Sequence, residues 1–210
     1  MAASQVTISN LALADVREPS IQSMDEDSFQ ARECRRQYDQ CLAELLEAHE
    51  WGFAVARAAL AVVANDRSGE WAYAYALPVG IGTPRRLLPN FTAAGYYSVP
   101  PYWNGIAGAV NPYIIDSGVI YSWIPDATIE YGRADVTPDE MPALFRRALG
   151  KSMAANLAKT LTDDDKLKER LQQEADLAVQ RAIADDRNRQ PARESVDDVA
   201  AVRGGWGLAF

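Results

Sequence analysis

FQARECRRQYDQCLAELLEAH, residues Phe29 to His49, is the stretch that decides the architecture. Cys34, Tyr38, Cys41, Leu42, Leu45, Leu46 and His49 recur at steps of three and four, with Arg32, Arg35, Arg36, Glu44 and Glu47 between them. An apolar stripe of that period is one face of an α-helix. The acidic run Met24 to Asp27 just upstream suits the positive end of such a helix. A shorter helix is expected over roughly 5–16, with Ile8, Leu11 and Ala12 as its buried stripe, ended by the Glu18-Pro19 break.

Helical signals return near the other end of the chain. Thr137-Pro138-Asp139-Glu140 has capping-box spacing with proline in the first turn, although Pro142 can move the start downstream. Phe145, Leu149, Met153 and Leu157 then form a four-residue row, flanked by Ala148 and Ser152. Thr162 followed by Asp163, Asp164 and Asp165 reads as a further helix start, with Leu167, Leu171, Ala175, Ala178, Val179 and Ile183 as the stripe behind it. This helix is expected to end near Arg187.

Between these blocks the period changes from helical to alternating. Trp71, Tyr73 and Tyr75 alternate with alanines, and Tyr113 to Ile115, Val119 to Ile124 and Thr128 to Tyr131 are short apolar runs separated by turn residues. The segment 91–110 carries Phe91, Tyr96, Tyr97, Tyr102 and Trp103 with no steady period and reads as a long surface loop. Its aromatics suit either the core of a small β subdomain or a protein-contact patch, with a glycan surface as a third option. Neither helical block has enough apolar face alone, so the two are expected to pack on each other. The fold class expected is mainly α: a bundle of about four helices with an inserted small antiparallel β subdomain and an extended C-terminal arm. The divisions are 1–54 with 134–189 for the bundle, 55–133 for the insertion and 190–210 for the arm. A length of 210 residues is expected to hold one main core.

Composition narrows the functional classes. A formal net charge of -8, from 29 acidic and 21 basic residues, argues against a phosphate-gripping surface. Cys34 and Cys41 lie about 10 Å apart along a helix axis, beyond disulfide reach, and are expected to be buried thiols suited to a reducing cytoplasm. No signal peptide or apolar run of membrane-spanning length is expected. With a single histidine, His49, the chain cannot build a His-based metal cluster, and His49 reads as a packing or capping residue. Consecutive acids at 163–165 point to different faces and suit a helix start better than a metal. The Gly80-Ile81-Gly82-Thr83 run lacks the spacing and lysine of a phosphate loop, and no serine has a nucleophile-elbow setting. The expectation is a non-enzyme with no catalytic residue, metal or cofactor.

An ordered set of short motifs carries a family resemblance. These are Ile8 to Ala14, Ala31 to Tyr38, His49 to Ala54, Trp71 to Pro78, and Leu144 to Leu149 with the alanine-rich helix that ends at Leu161-Thr162. In this order the chain resembles the head-to-tail adaptors of short-tailed bacteriophages, the tail tubular protein A type, over most of residues 5–187. The loop 91–110 and the Gly-Trp-Gly tail depart from that pattern. The resemblance implies a virion protein of the tail and neck, assembled in the host bacterial cytoplasm. It also implies a dodecameric ring of this chain beneath the portal protein, a tail nozzle protein docked below, and DNA passing through without specific binding. Within that frame Arg203, Trp206, Leu208 and Phe210 are the expected portal contacts, because Trp206, Leu208 and Phe210 gain by leaving water in a tail whose glycines prevent a stable helix. Tyr96, Tyr97, Tyr102 and Trp103 are the expected nozzle contacts. The alternative is a soluble tail-associated binding module that uses the aromatic loop, with a glycan as one candidate ligand. A di-metal helical enzyme would need two Glu-x-x-His pairs, which one histidine cannot supply.

Overall fold

A computed structural model describes residues 4–89, 112–162 and 164–189. The elements run α1 (Gln5–Asp15), α2 (Phe29–Ala48), a 3-10 turn (Gly52–Ala54), β1 (Val55–Ala59), β2 (Tyr73–Ala76), β3 (Ile81–Leu88), β4 (Tyr113–Asp116), β5 (Val119–Ser122), β6 (Thr128–Arg133), α3 (Ala143–Thr162) and α4 (Asp165–Arg189). With 48% helix and 20% strand, the four helices and two small antiparallel sheets make the fold mixed α/β. This is roughly compatible with the expected mainly α bundle carrying an inserted small antiparallel β subdomain. The chain divides into two compact units, one of Met1–Val55 with Arg133–Arg189 and one containing Ala56–Gly132. Each has its own hydrophobic core, which corrects the expectation of one main core.

The helical unit is organised around α3. Phe145, Ala148, Leu149, Gly150, Met153, Ala154, Ala155, Leu157 and Ala158 are all buried, so α3 is covered on several sides and packs against α1, α2 and α4. Small residues permit this close approach. A Cβ at Gly150 would lie 3.7 Å from the Ile8 carbonyl oxygen of α1. The α2 stripe is Ala31, Cys34, Tyr38, Cys41 and Leu45, and the helix is capped by Ser28, whose hydroxyl accepts the Ala31 N–H at 3.2 Å. The upstream acids do not lie in its first turn.

Three local expectations are corrected in this unit. On α1 the buried residues are Ile8, Ser9, Ala12 and Leu13, whereas Leu11 is 54% exposed. A short helix leaves the choice between neighbouring faces open, and packing on α3 selects the one carrying Leu13. The Thr137–Glu140 pair does form, with the Glu140 carboxylate accepting the Thr137 N–H at 2.8 Å, but it closes a turn. The helix starts at Ala143, because Pro142 lacks an N–H and disfavours helical backbone in the residue before it. Thr162 belongs to the last turn of α3, and the cap of α4 is Asp164, whose carboxylate accepts the N–H groups of Lys166 and Leu167.

The α1 exit is set by a left-handed residue. Arg17 has φ +63°, and the Glu18 and Arg17 amides return to the Leu13 and Ala14 carbonyls. This is a Schellman stop with arginine where glycine is usual. Asn10 then clasps the backbone of Ile21 from both sides, donating to its carbonyl at 3.0 Å and accepting its N–H at 2.9 Å. The descending chain is held against α1 by these two bonds.

The second unit contains two three-stranded sheets, ordered β1-β6-β3 and β2-β5-β4. The β4–β5 hairpin turns through Ser117 (φ +49°) and Gly118 (φ +80°), a pair of positive φ values that matches strand twist. Tyr75, Leu87, Ile120, Ile124 and Ile129 fill the core of this unit. Alternation located β2, but the strand begins at Tyr73, and Ala74 is buried as well as Tyr75. Two strands escaped the sequence reading, β1 and β3. Gly82 and Pro84 disguise β3, and a proline is tolerated there because β3 is an edge strand.

Candidate functional site

The reactive side chains of the helical unit are engaged in holding it together. His49 caps the end of α2, its Nε2 lies 3.2 Å from an Asp186 carboxylate oxygen, and its ring meets Trp51 edge-on at 5.0 Å. Asp186 is buried and also accepts the Gly52 N–H at 3.1 Å, so the pair fastens α4 to the corner after α2. Trp51 continues this fastening: its indole N–H donates to the Leu45 carbonyl at 2.6 Å, and its ring packs edge-on against Phe145 at 4.8 Å. Cys34 and Cys41 are both free and buried on α2. Burial pushes each thiol up to about 11, far from the range of a working nucleophile.

In the β unit a buried carboxylate spans one sheet. Glu130 on β6 is met by Arg57 from β1 and by Arg86 from β3, each at 2.8 Å. Burial raises the Glu130 carboxyl, but the hydrogen bonds from Arg86 and Arg57 outweigh it and leave the group below its ordinary value. The carboxylate is thus held charged between two cations across three strands. Arg57 remains substantially exposed, so part of this charge faces water.

The other sheet carries an aromatic and charged patch. Trp71 and Trp123 lie just outside the paired ends of β2 and β5, with ring centroids 6.0 Å apart and planes tilted by 42°. Trp123 is 49% exposed. Nearby, Arg67 lies 5.1 Å above the Tyr121 ring and pairs with Asp116, and the Tyr121 hydroxyl donates to Asp66 at 2.6 Å. A half-exposed indole is a feature of contact surfaces. The sequence signal for it was only a tryptophan at the margin of each strand.

The expected portal contacts Arg203, Trp206, Leu208 and Phe210 lie outside the described residues, as do the nozzle contacts Tyr96, Tyr97, Tyr102 and Trp103. Among the described residues no group of three or more His, Cys, Asp or Glu side chains could hold a metal ion. No helix among them is long and apolar enough to cross a membrane. Among the described residues, one surface depression, lined by Leu144, Arg147, Lys151, Glu174, Leu177, Ala178 and Arg181, follows the α3–α4 seam. The sequence matches no protein-family model, and no curated protein matches it significantly.

Proposed function

We propose that this chain is a structural subunit of a tailed bacteriophage, the head-to-tail adaptor that forms a ring between the portal and the tail nozzle. The observation that carries this reading is where the motif residues fall. Ile8, Ala12 and Leu13 from the first motif, Ala31, Cys34 and Tyr38 from the second, Trp51 and Ala54 from the third, and Phe145, Ala148 and Leu149 from the last belong to a single core. Four of the five motifs thus act together as the interior of one helical unit, while Trp71 to Pro78 contributes Tyr75 to the core of the β unit. An acidic surplus suits a passage for DNA, because like charges do not adhere.

In this role the helical unit forms the ring as a bundle with the β unit inserted, and 190–210 is an arm. Arg203, Trp206, Leu208 and Phe210 engage the portal, and Tyr96, Tyr97, Tyr102 and Trp103 engage the nozzle protein. The protein works without catalysis, metal or cofactor, in the virion neck, after assembly in the host cytoplasm. A second reading, a tail-associated binding module that takes a glycan, is favoured by the Trp71–Trp123 pair, whose Trp123 ring is exposed. Native mass measurement of the purified protein separates the two. High-order closed oligomers, a dodecamer foremost, are expected of the adaptor. A monomer or dimer at every accessible concentration, combined with retention on a polysaccharide array, would favour the module.

A further inference from the structure

The α3–α4 seam presents a groove lined by Leu144, Leu177 and Ala178 together with three cations, Arg147, Lys151 and Arg181, and one carboxylate, Glu174. Leu177 is 52% exposed there, beside Leu144 and Ala178. Lys151 is already committed, bridging Asp15 at 3.0 Å and Glu174 at 2.7 Å. Arg147 and Arg181 are exposed and have no ion-pair partner among the described residues. Arg147 and Arg181, neither in an ion pair among the described residues although Arg147 lies in the field of Glu174, together with the exposed Leu177 suit an acidic helix whose contact stripe is small, so that leucine can pack between its turns.

The chain carries such a helix face. In its second half α2 exposes Gln40, Ala43, Glu44 and Glu47, a stripe at steps of three and four with alanine at its centre. Glu44 accepts the Gln40 amide at 3.0 Å, and Glu47 has no ion-pair partner among the described residues. Both surfaces belong to the helical unit and use different residues, so each finds its complement on another copy rather than in its own equivalent. When one pair of copies makes this contact once rather than reciprocally, the contact is head-to-tail and closes into a ring if the rotation permits.

We propose that the Arg147–Leu177–Arg181 groove of one copy receives the Ala43–Glu44–Glu47 face of α2 from the next copy. The occupant is a second copy of this chain, chosen by charge complementarity with an apolar contact at the centre. This rests on the adaptor reading and names its ring contact.

The test is a charge swap in the full chain, read as oligomer mass by sedimentation at several concentrations. Arg147→Glu with Arg181→Glu, and separately Glu44→Arg with Glu47→Arg, are each expected to weaken self-association by at least about ten-fold. An equimolar mixture of the two variants is expected to form alternating contacts and recover mass towards the wild-type level, as is the chain carrying all four changes. All four residues are exposed, so the variants are expected to keep the wild-type helical signal. Wild-type rings that persist unchanged in both variants overturn this contact and leave the adaptor reading standing. A wild-type chain that never assembles overturns both. Loss of assembly in each variant without recovery in the mixture overturns the pairing of these two surfaces.

Discussion

Removing the Phe145 ring is expected to unravel the helical unit more than any other single truncation on α3. Phe145 is 1% exposed, with the Trp51 ring at 4.8 Å and the Phe53 ring at 4.9 Å, both close to perpendicular. An aromatic side chain takes about 200 Å² out of water, which at roughly 25 cal/mol per Å² is about 5 kcal/mol. Alanine retains the Cβ part and the neighbours close in partially, while two edge-on ring contacts are lost. The net cost of Phe145→Ala is therefore about 3–5 kcal/mol, a large share of the roughly 5–15 kcal/mol that a domain has in total. All four helices among the described residues lie in this unit, so far-ultraviolet circular dichroism at the helical band reports its melting separately from the sheets. The midpoint is expected to fall by roughly 6–20 °C. Leu11→Ala is the control. Periodicity alone would rank Leu11 with Ile8, but its exposure limits the cost to about 0.5 kcal/mol. A Phe145→Ala loss below about 1 kcal/mol, or a Leu11→Ala loss equal to it, would refute the packing described for α1, α3 and the aromatic corner.

Further outcomes follow from single backbone and side-chain positions. Arg17→Gly relieves a left-handed arginine at the end of α1 and is expected to stabilise the unit by up to about 1 kcal/mol in urea unfolding; a destabilised variant would mean that the arginine side chain matters more than its backbone. Gly150→Ala adds a Cβ at ordinary contact distance from α1 and removes a helix-interior glycine, so a gain of about 0.5–1 kcal/mol is expected. Gly150→Leu is expected to destabilise, and equal melting of the two would contradict the close α1–α3 approach. Cys34 and Cys41 are expected to react with a thiol reagent only on unfolding, and rapid native labelling would place one at the surface. Their folded values of about 11 lie above the ordinary thiol value, so the folded state holds these protons more tightly. Stability from this source is complete below the unfolded thiol value and is lost as pH rises towards 11.

How far the sequence could be read depended on whether the local signal and the tertiary packing agreed. On α2 they agree, since a stripe of five buried residues at alternating steps of three and four admits one orientation. On α3 the row Phe145, Leu149, Met153 and Leu157 was visible, but the burial of Ala154, Ala155 and Ala158 was not, because alanine is equally at home on a surface. Helix starts were misplaced by a few residues where two capping signals compete, Thr162 against Asp164 and Thr137 against the Pro142 break. The strand β3 was missed because an edge position excuses residues that a central strand forbids, and edge status is a tertiary property. Contact residues were harder still. Arg147, Leu177 and Arg181 are far apart in sequence or uninformative as types, and only the α3–α4 seam brings them together. The Trp71–Trp123 pair likewise depends on the register of β2 with β5.

The most direct measurement is the mass and symmetry of the complex formed when the purified protein is mixed with portal oligomers of the same phage. A ring of this chain seated on each portal ring, with copy number matching the portal and loss of the complex when 203–210 are deleted, is the expected result. A chain that stays apart from portal at micromolar concentration, while remaining folded by circular dichroism, would contradict the assignment as a head-to-tail adaptor.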